Sequence, residues 1–230
     1  MGRNLRCPWR GGNAAARTPG ALRPAALDSL PVFIDQLRSL AREALRYSER
    51  LLHPWRRRAA LRRLGRAPLP RTVLFVCHGN ICRSPYAAAV ARHLLRATVA
   101  VESAGFVGPD RPSPPESVAV AAERGFDLVP HRSQLIEIEH LRDVDLVIVM
   151  DEQQRHRLVD ARPVIAGRVV LLGDLDPVPI AQRAVPDPVQ QPADVFRSCY
   201  DRIDRCVGAL ATLWRAPGGD DAQGQGGKLE

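Results

Sequence analysis

The chain has 230 residues, of which 45% are hydrophobic, so it can form one or two domains with a buried core. It contains no apolar run long enough to cross a membrane as a helix. Its five cysteines follow no disulfide framework, and an odd number leaves one cysteine without a partner, which is typical of a reducing compartment. No pair of CxxC motifs and no His–Cys cluster indicates a zinc site. We therefore expect no metal and no cofactor.

Charge is distributed unevenly along the chain. The first 71 residues carry 16 basic and four acidic side chains, whereas the remainder carries 17 basic and 21 acidic ones. This change of sign predicts a basic extension followed by an acidic globular domain. We place the extension at residues 1–70, the domain at residues 71–215 and a disordered, glycine-rich tail at residues 216–230.

The extension has two parts. Residues 1–27 are rich in Gly, Pro, Ala and Arg without periodicity, which predicts disorder. From Val32 onwards, hydrophobic residues recur at helical spacing, and Ser29 and Pro31 make a plausible helix start. A second, very basic stretch follows from Arg56 to Arg66.

Residues 72–215 alternate between short apolar runs and amphipathic stretches. This pattern predicts an α/β fold, a single doubly wound sheet of four parallel strands with flanking helices. The predicted strands are Val73–Val76, Thr98–Gly105, Asp145–Met150 and Arg168–Asp174. Four predicted helices begin at Ser84, Pro115, Ser133 and Glu152. A fifth and final helix is predicted from the apolar stripe that runs from Val195 to Trp214.

The segment VLFVCHGNICRSP, from Val73 to Pro85, contains the first predicted strand, a short loop and the start of the next helix. A Gly-Asn pair with turn chemistry follows the strand, and a Ser-Pro pair typical of a helix N-terminus follows the turn. Cys77 therefore lies where the strand ends, and Arg83 lies where the helix begins.

This placement has a chemical consequence. Ligands of a doubly wound sheet bind beyond the carboxyl ends of its strands, where backbone N–H groups and the positive end of a helix can hold an anion. Arg83 adds a planar fork that suits two phosphate oxygens. Cys77, in the same positive field, would be a thiolate and a nucleophile aimed at phosphorus. An isolated cysteine at a strand end is more often inert, so the combination carries the inference.

The segment VCHGNICRSP resembles the signature of the low-molecular-weight protein tyrosine phosphatases, a family that includes bacterial arginine phosphatases and thioredoxin-coupled arsenate reductases. The segments ESAG, HRS, DLVIVMD and PDP follow in the order typical of this family, so the resemblance covers roughly residues 72–215. It implies hydrolysis of phosphotyrosine in proteins through a cysteinyl-phosphate intermediate. Cys77 would be the nucleophile, and Arg83 would stabilise the transferred phosphoryl group.

The resemblance also implies a general acid from an Asp-Pro pair in a late loop. We prefer Asp187, which precedes Pro188, because it lies shortly before the final helix. Asp176, which precedes Pro177, is the alternative.

Other loop positions acquire roles from the same resemblance. The expected substrate-binding residues are His78, Gly79, Asn80, Ile81, Cys82 and Ser84. Asn80 and Ser84, together with Ser103 in ESAG and His131 in HRS, would hold the loop's shape by hydrogen bonds. Cys82 either forms a protective disulfide with the nucleophile or is a small buried filler, and both interpretations stay open.

Three positions depart from the family's pattern. Val189 stands where tyrosine phosphatases usually have an aromatic residue after the Asp-Pro pair, which weakens the case for phosphotyrosine preference but not for phosphate chemistry. Ala88 replaces a common glutamate and Tyr86 a frequent methionine, and we expect both to affect packing.

Three alternatives compete with the tyrosine phosphatase interpretation. Arginine phosphatases tend to have threonine at the position of Ile81, so this residue favours the tyrosine branch. Arsenate reductases that relay to thioredoxin need further cysteines, and none occurs between Cys82 and Cys199. A non-catalytic phospho-binding module would be expected to lack at least one catalytic residue, and all three are present.

The expected partners follow from these interpretations. We expect a phosphorylated protein as substrate, with a bacterial tyrosine kinase among the candidates, and a cytoplasmic location. The basic extension is expected to touch anionic lipid or an acidic partner. Its most basic stretch, from Arg56 to Arg66, contains no aromatic residue interleaved with the arginines, so no specific nucleic acid is expected.

Overall fold

The computed structural model describes most of the chain, namely residues 26–95, 97 and 99–215, with side chains from residue 33 onwards except at 35. The disorder predicted for residues 1–27 and 216–230 lies outside these ranges, except for the last two residues of the first segment, which are helical. Contacts divide the chain into two units, residues 1–42 and 43–230. The second unit contains the sheet, and its start lies upstream of the domain start expected at residue 71.

Four parallel strands form the sheet, in the order β2-β1-β3-β4. They are β1 (Thr72–Cys77), β2 (Ala100–Gly105), β3 (Leu146–Val149) and β4 (Val169–Leu171). Every residue of β1 and β3 except Thr72 is buried, because helices cover both faces of a parallel sheet. The predicted four-stranded doubly wound fold is confirmed, although β4 ends early because the chain tightens into a 3-10 helix at Leu172–Leu175.

Helices alternate with these strands, as the sequence predicts. The α-helices are α1 (Ala26–Arg66), α2 (Arg83–Leu94), α3 (Pro115–Ala122), α4 (Glu152–Ala161) and α5 (Ala193–Arg215). Further 3-10 helices occur at His140–Arg142 and Pro163–Arg168. Within the part of the chain that the structure describes, no helix is both long enough and apolar enough to cross a membrane.

Two hydrophobic clusters lie on opposite faces of the sheet because neighbouring strand residues point to opposite sides. Phe75 packs on one face with Tyr200 of α5, and Leu74 packs on the other face with Leu158 of α4. Tyr86, one of the departures from the family pattern, is fully buried in the first cluster. Its ring stacks on Tyr200 with 3.7 Å between centroids, so this departure does affect the packing.

The prediction of a helix at Ser133–Leu141 is wrong. The backbone of this segment instead pairs with the end of β2. The Gly105 N–H donates to the Gln134 carbonyl at 2.9 Å, and the Ile136 N–H donates to the Gly105 carbonyl at 2.8 Å. These backbone groups are therefore not available for helical hydrogen bonds. Only the end of the segment is helical, in the 3-10 turn that begins at His140.

Helix α1 begins before the predicted Ser29 and Pro31 start, and it continues without interruption through the basic stretch. In the second unit, its side chains pack on the sheet domain. His53 and Leu64 are buried, and Arg63 donates to the Val169 carbonyl at 2.9 Å. The C-terminal half of α1 is therefore part of the folded unit that contains the sheet.

Candidate active site

The loop between β1 and α2 is built around the sulfur of Cys77, which is 2% exposed. The sulfur accepts hydrogen bonds from the Asn80 N–H at 3.2 Å and from the Ser84 hydroxyl at 3.0 Å. Two donors thus aim at one sulfur and fix its position within the loop. The residue predicted as the nucleophile thus lies at the floor of the loop, at the carboxyl end of a central strand.

Asn80 holds the loop's shape. Its φ of 50° lies in the left-handed region, which a non-glycine residue adopts when its surroundings stabilise it. Its side-chain amide donates to the Ser84 hydroxyl at 2.8 Å, and its side-chain carbonyl accepts from the Gln134 N–H at 2.7 Å. Nε2 of His131 lies 2.7 Å from the Asn80 carbonyl, and burial lowers the pKa of His131, so a neutral ring donates this bond. The structure therefore joins Asn80, Ser84 and His131 in one network.

The Ser103 hydroxyl does not enter this network and makes no hydrogen bond within the described residues, whereas its backbone pairs with Phe75 in the sheet. The next two residues of ESAG contact the loop instead. The Ala104 carbonyl accepts from the Ser84 hydroxyl at 3.4 Å. A Cβ atom at Gly105 would lie 2.7 Å from the Asn80 nitrogen, so only glycine allows the loop to approach β2 this closely.

Arg111 is a loop contact that the sequence did not indicate. Its guanidinium donates to the Gly79 carbonyl at 2.7 Å and to the Val107 carbonyl at 2.8 Å. It thereby connects the phosphate loop to the segment after β2. No motif distinguishes Arg111 from the many other arginines of this chain.

Arg83 and Asp187 meet at the mouth of the loop. The buried Arg83 guanidinium donates to the Asp187 carboxylate and, at 3.1 Å, to the Val185 carbonyl. Its Nε has no partner among the described residues, which leaves one buried donor available for an anion. The Asp187 side chain is 41% exposed, so water and substrate can reach its carboxylate. The predicted nucleophile, arginine and acid are thus brought together, with His78 exposed and Ile81 half-buried on the same loop.

The alternative acid, Asp176, has a different environment. It is fully buried, and its carboxylate binds the Arg205 guanidinium at 2.9 and 3.0 Å, with Arg202 at 3.4 Å. Arg202 also donates to the carbonyls of Gln182 and Ala184, both at 2.7 Å. Asp176 therefore belongs to a charged network that holds the loop leading to Asp187, and it has no access to a substrate.

A cleft of about 400 Å³ opens beside Arg83 and Asp187. Arg157 of α4 lies on its rim, with its guanidinium 4.1 Å from the ring centroid of Phe106. A guanidinium stacked on an aromatic face is a favourable cation–π arrangement. The sequence analysis missed this pair, because the two residues are far apart in the chain and form no motif.

Three further cysteines lie within the part of the chain that the structure describes. Cys82, Cys199 and Cys206 are buried and free, as is Cys77. Burial raises the pKa of the Cys82 and Cys206 thiols and raises that of Cys199 to about 12. A protective disulfide between Cys82 and Cys77 stays a prediction. Among the described residues, no group of three or more His, Cys, Asp and Glu side chains could hold a metal ion.

A nucleophilic sulfur, a buried guanidinium and an accessible carboxylate at the carboxyl end of a parallel sheet are the groups that phosphate-ester hydrolysis through a cysteine requires. The fold and the site thus define a phosphatase of the cysteine-dependent class.

Comparison with known proteins identifies the family. Residues 72–216 match the model of the low molecular weight phosphotyrosine protein phosphatases, so the chain belongs to this family and is a phosphoric monoester hydrolase. It is 36% identical over 149 residues to the probable low molecular weight protein-tyrosine-phosphatase EpsP of Ralstonia nicotianae, covering 64% of this chain and 99% of that protein. It is 31% identical to the low molecular weight protein-tyrosine-phosphatase Etp of Escherichia coli, and the match covers 58% of this chain and 88% of Etp.

Solved structures show the same fold. Wzb from Vibrio vulnificus, in complex with benzylphosphonate, is 31% identical with a TM-score of 0.57, covering 62% of this chain and 97% of that one. The arginine phosphatase YwlE from Geobacillus stearothermophilus is 28% identical with a TM-score of 0.57, covering 63% and 93%. The N-terminal extension lies outside the 72–216 family match.

Proposed function

We propose that the protein hydrolyses phosphotyrosine in proteins through a phosphorylated cysteine, with Cys77 as the nucleophile. The observation that carries this proposal is the buried Cys77 sulfur, which receives two hydrogen bonds at the floor of a loop beside Arg83. In the first step, this sulfur attacks phosphorus and the bond from phosphorus to the tyrosine oxygen breaks. The Asp187 carboxyl donates a proton to the leaving oxygen.

The second step regenerates the enzyme. The Asp187 carboxylate takes a proton from a water molecule, the water oxygen attacks phosphorus, and the phosphorus–sulfur bond breaks to release inorganic phosphate and the thiolate. In both steps, Arg83 and the loop amides stabilise the charge on the equatorial oxygens. The bond between Arg83 and Asp187 must loosen when phosphate binds the guanidinium, which releases the carboxyl group for proton transfer.

The loop supplies the phosphate site in this proposal. Its backbone amides and Arg83 would bind the phosphoryl oxygens. The proposed substrate-binding residues are His78, Gly79, Asn80, Ile81, Cys82 and Ser84. The short contacts of Asn80 and His131 support this role, because a preorganised anion site needs a backbone that does not rearrange on binding.

An assay with two peptides distinguishes protein-tyrosine-phosphatase activity from arginine phosphatase activity, the two activities named among the similar proteins. We expect faster turnover of a phosphotyrosine peptide than of the same peptide with phosphoarginine, because Ile81 favours the tyrosine branch. Release of inorganic phosphate from both peptides measures this under identical conditions. Preferential hydrolysis of phosphoarginine would assign the protein to the arginine branch, and absence of turnover on both would favour a binding module.

The protein substrate is also a proposal. Relatives such as EpsP and Etp are named protein-tyrosine-phosphatases, which supports a phosphorylated protein as substrate. We propose a bacterial tyrosine kinase as one candidate substrate and the cytoplasm as the location. We also retain the proposal that the basic extension contacts anionic lipid or an acidic partner.

Arg157 should contribute to substrate preference. Because Val189 follows the Asp-Pro pair, the site lacks the aromatic residue that usually stands there. Instead, the Arg157 guanidinium lines the cleft and stacks on the Phe106 ring. We expect Arg157→Gln to raise KM about two- to fivefold for phosphotyrosine peptides with acidic flanking residues, the usual range for an exposed charge pair. Steady-state kinetics should show unchanged kcat and little effect on a small aryl phosphate.

Arg157→Lys is the matched control, because it keeps the charge and should retain most of the preference for acidic peptides. An equal KM increase for neutral and acidic peptides in Arg157→Gln would contradict charge recognition. It would indicate instead that Arg157 only supports the cleft.

A further inference from the structure

The outward face of helix α1 carries an exposed apolar patch. In the second unit, this helix packs on the sheet domain through the face that contains His53 and Leu64. Large hydrophobic side chains of the same segment remain exposed, with Tyr47 at 66% and Trp55 at 72%. The apolar patch consists of Leu45, Tyr47, Leu51, Leu52 and Trp55. Contiguous exposed apolar side chains of this kind mark interaction surfaces.

Basic residues continue the same face. Residues three or four apart share one side of a helix, so the stripe of Leu51 and Trp55 extends through Arg58 and Arg62 to Arg66. All three arginines are exposed, and the Arg58 guanidinium lies 5.9 Å from the Trp55 ring centroid. None of the three forms an ion pair with an acidic side chain within the described residues. Among nearby acids, Glu49 is paired with Arg56.

Apolar, aromatic and unpaired cationic side chains on one helix face fit the surface of an anionic bilayer. Tyrosine and tryptophan favour the boundary between headgroups and acyl chains, and arginine binds lipid phosphates. A second copy of the chain packed in parallel on this face would oppose like charges, whereas anionic headgroups would neutralise them. Charge complementarity therefore favours lipid over self-association.

We propose that residues 45–66 bind flat on anionic membranes. Leu45, Tyr47, Leu51, Leu52 and Trp55 enter the headgroup boundary, and Arg58, Arg62 and Arg66 contact lipid phosphates. This proposal rests on the proposed role of the basic extension and narrows its partner to anionic lipid, and it is independent of the reaction at Cys77.

The first test uses the full chain and flotation with vesicles of phosphatidylcholine alone or mixed equally with phosphatidylglycerol. We expect binding to the mixed vesicles only, falling steeply as salt rises to about 1 M, because the attraction of the arginines is screened. The triple variant Leu51→Gln, Leu52→Gln, Trp55→Gln should bind about tenfold more weakly or worse. Val129→Gln with Val164→Gln, two exposed apolar residues elsewhere in the domain, is the matched control and should bind normally.

The second test separates the charges on the outward face from those elsewhere on the helix. Arg58→Gln with Arg62→Gln should weaken binding roughly ten- to thirtyfold. Arg46→Gln with Arg50→Gln, which removes the same charge from another side of α1, should change binding much less. All variants should hydrolyse a small aryl phosphate at the rate of the unmodified chain, which shows that the domain remains folded.

Three results would overturn the proposal. The first is failure to bind mixed vesicles, and the second is equal weakening by the two arginine pairs. The third is self-association, measured by sedimentation without lipid, that the triple variant abolishes while vesicle binding is unchanged. That result would assign the apolar patch to a second copy of the chain.

Discussion

Replacing Cys77 with serine is expected to abolish turnover of an aryl phosphate while leaving the fold intact. The hydroxyl preserves the size of the side chain and can occupy the same hydrogen-bonding position beside Asn80 and Ser84. It is a far weaker nucleophile than a thiolate at neutral pH, so the phosphoenzyme cannot form at a useful rate. Release of the phenol, together with thermal unfolding, measures activity and stability on the same sample.

Cys199→Ser is the matched control for this variant. Cys199 is also buried, and its thiol lies 3.5 Å from the Pro186 carbonyl, a contact that a hydroxyl can reproduce. Its substitution should leave most of the activity. Substantial turnover by Cys77→Ser would contradict the assignment of the nucleophile.

The second large effect is expected at Asp187. Asp187→Asn should lower the rate for an aryl phosphate with a basic leaving group by about 10²–10⁴, the usual contribution of a positioned proton donor. The loss should shrink for leaving groups that are already weak bases, because they need no proton. A series of substituted aryl phosphates measures this dependence for the unmodified enzyme and the variant.

Asp176→Asn provides the comparison between the two Asp-Pro pairs. Asp176 is buried against Arg202 and the partly exposed Arg205, so loss of its charge leaves one largely buried guanidinium and one partly exposed guanidinium without their carboxylate partner. We expect a loss of stability of about 1–3 kcal/mol and no change in leaving-group dependence. The reverse pattern, with leaving-group dependence altered only in Asp176→Asn, would show that the wrong aspartate has been assigned.

Local sequence patterns predict the parts of this fold that local chemistry determines. β1 and β3 are short, almost entirely apolar runs with turn residues nearby, and both are central strands. The segment Ser133–Leu141 shows the limit of this approach. Its composition suits a helix, but its backbone pairs with Gly105, a partner that only the tertiary structure provides.

The candidate site shows the same division. Cys77, Arg83 and Ser84 belong to one contiguous motif, so their proximity could be predicted from the sequence. Arg111 and Arg157 reach the loop and the cleft from distant segments, and nothing in their surroundings distinguishes them from other arginines. The functional sites of such folds are assembled from several loops, and only the contiguous part has a sequence signature.

The buried face of helix α1 could not be predicted from its sequence. Its periodicity predicts a helix correctly, and an apolar stripe would ordinarily be expected to face a core. The structure instead packs the opposite face on the domain, through His53 and Leu64, and leaves Leu51 and Trp55 exposed. The choice of face depends on the shape of the surface it meets, which the helix's own sequence does not contain.

The most direct test of the central claim is to trap the phosphorylated intermediate. The enzyme is mixed with excess aryl phosphate, quenched within its first turnovers, digested and analysed by mass spectrometry. The proposed mechanism predicts phosphate linked to sulfur on the peptide that contains Cys77, no sulfur-linked phosphate on that peptide in Cys77→Ser, and a burst of phenol equal to the amount of enzyme. Turnover without a phosphorylated peptide, or phosphate on a different residue, would contradict the mechanism.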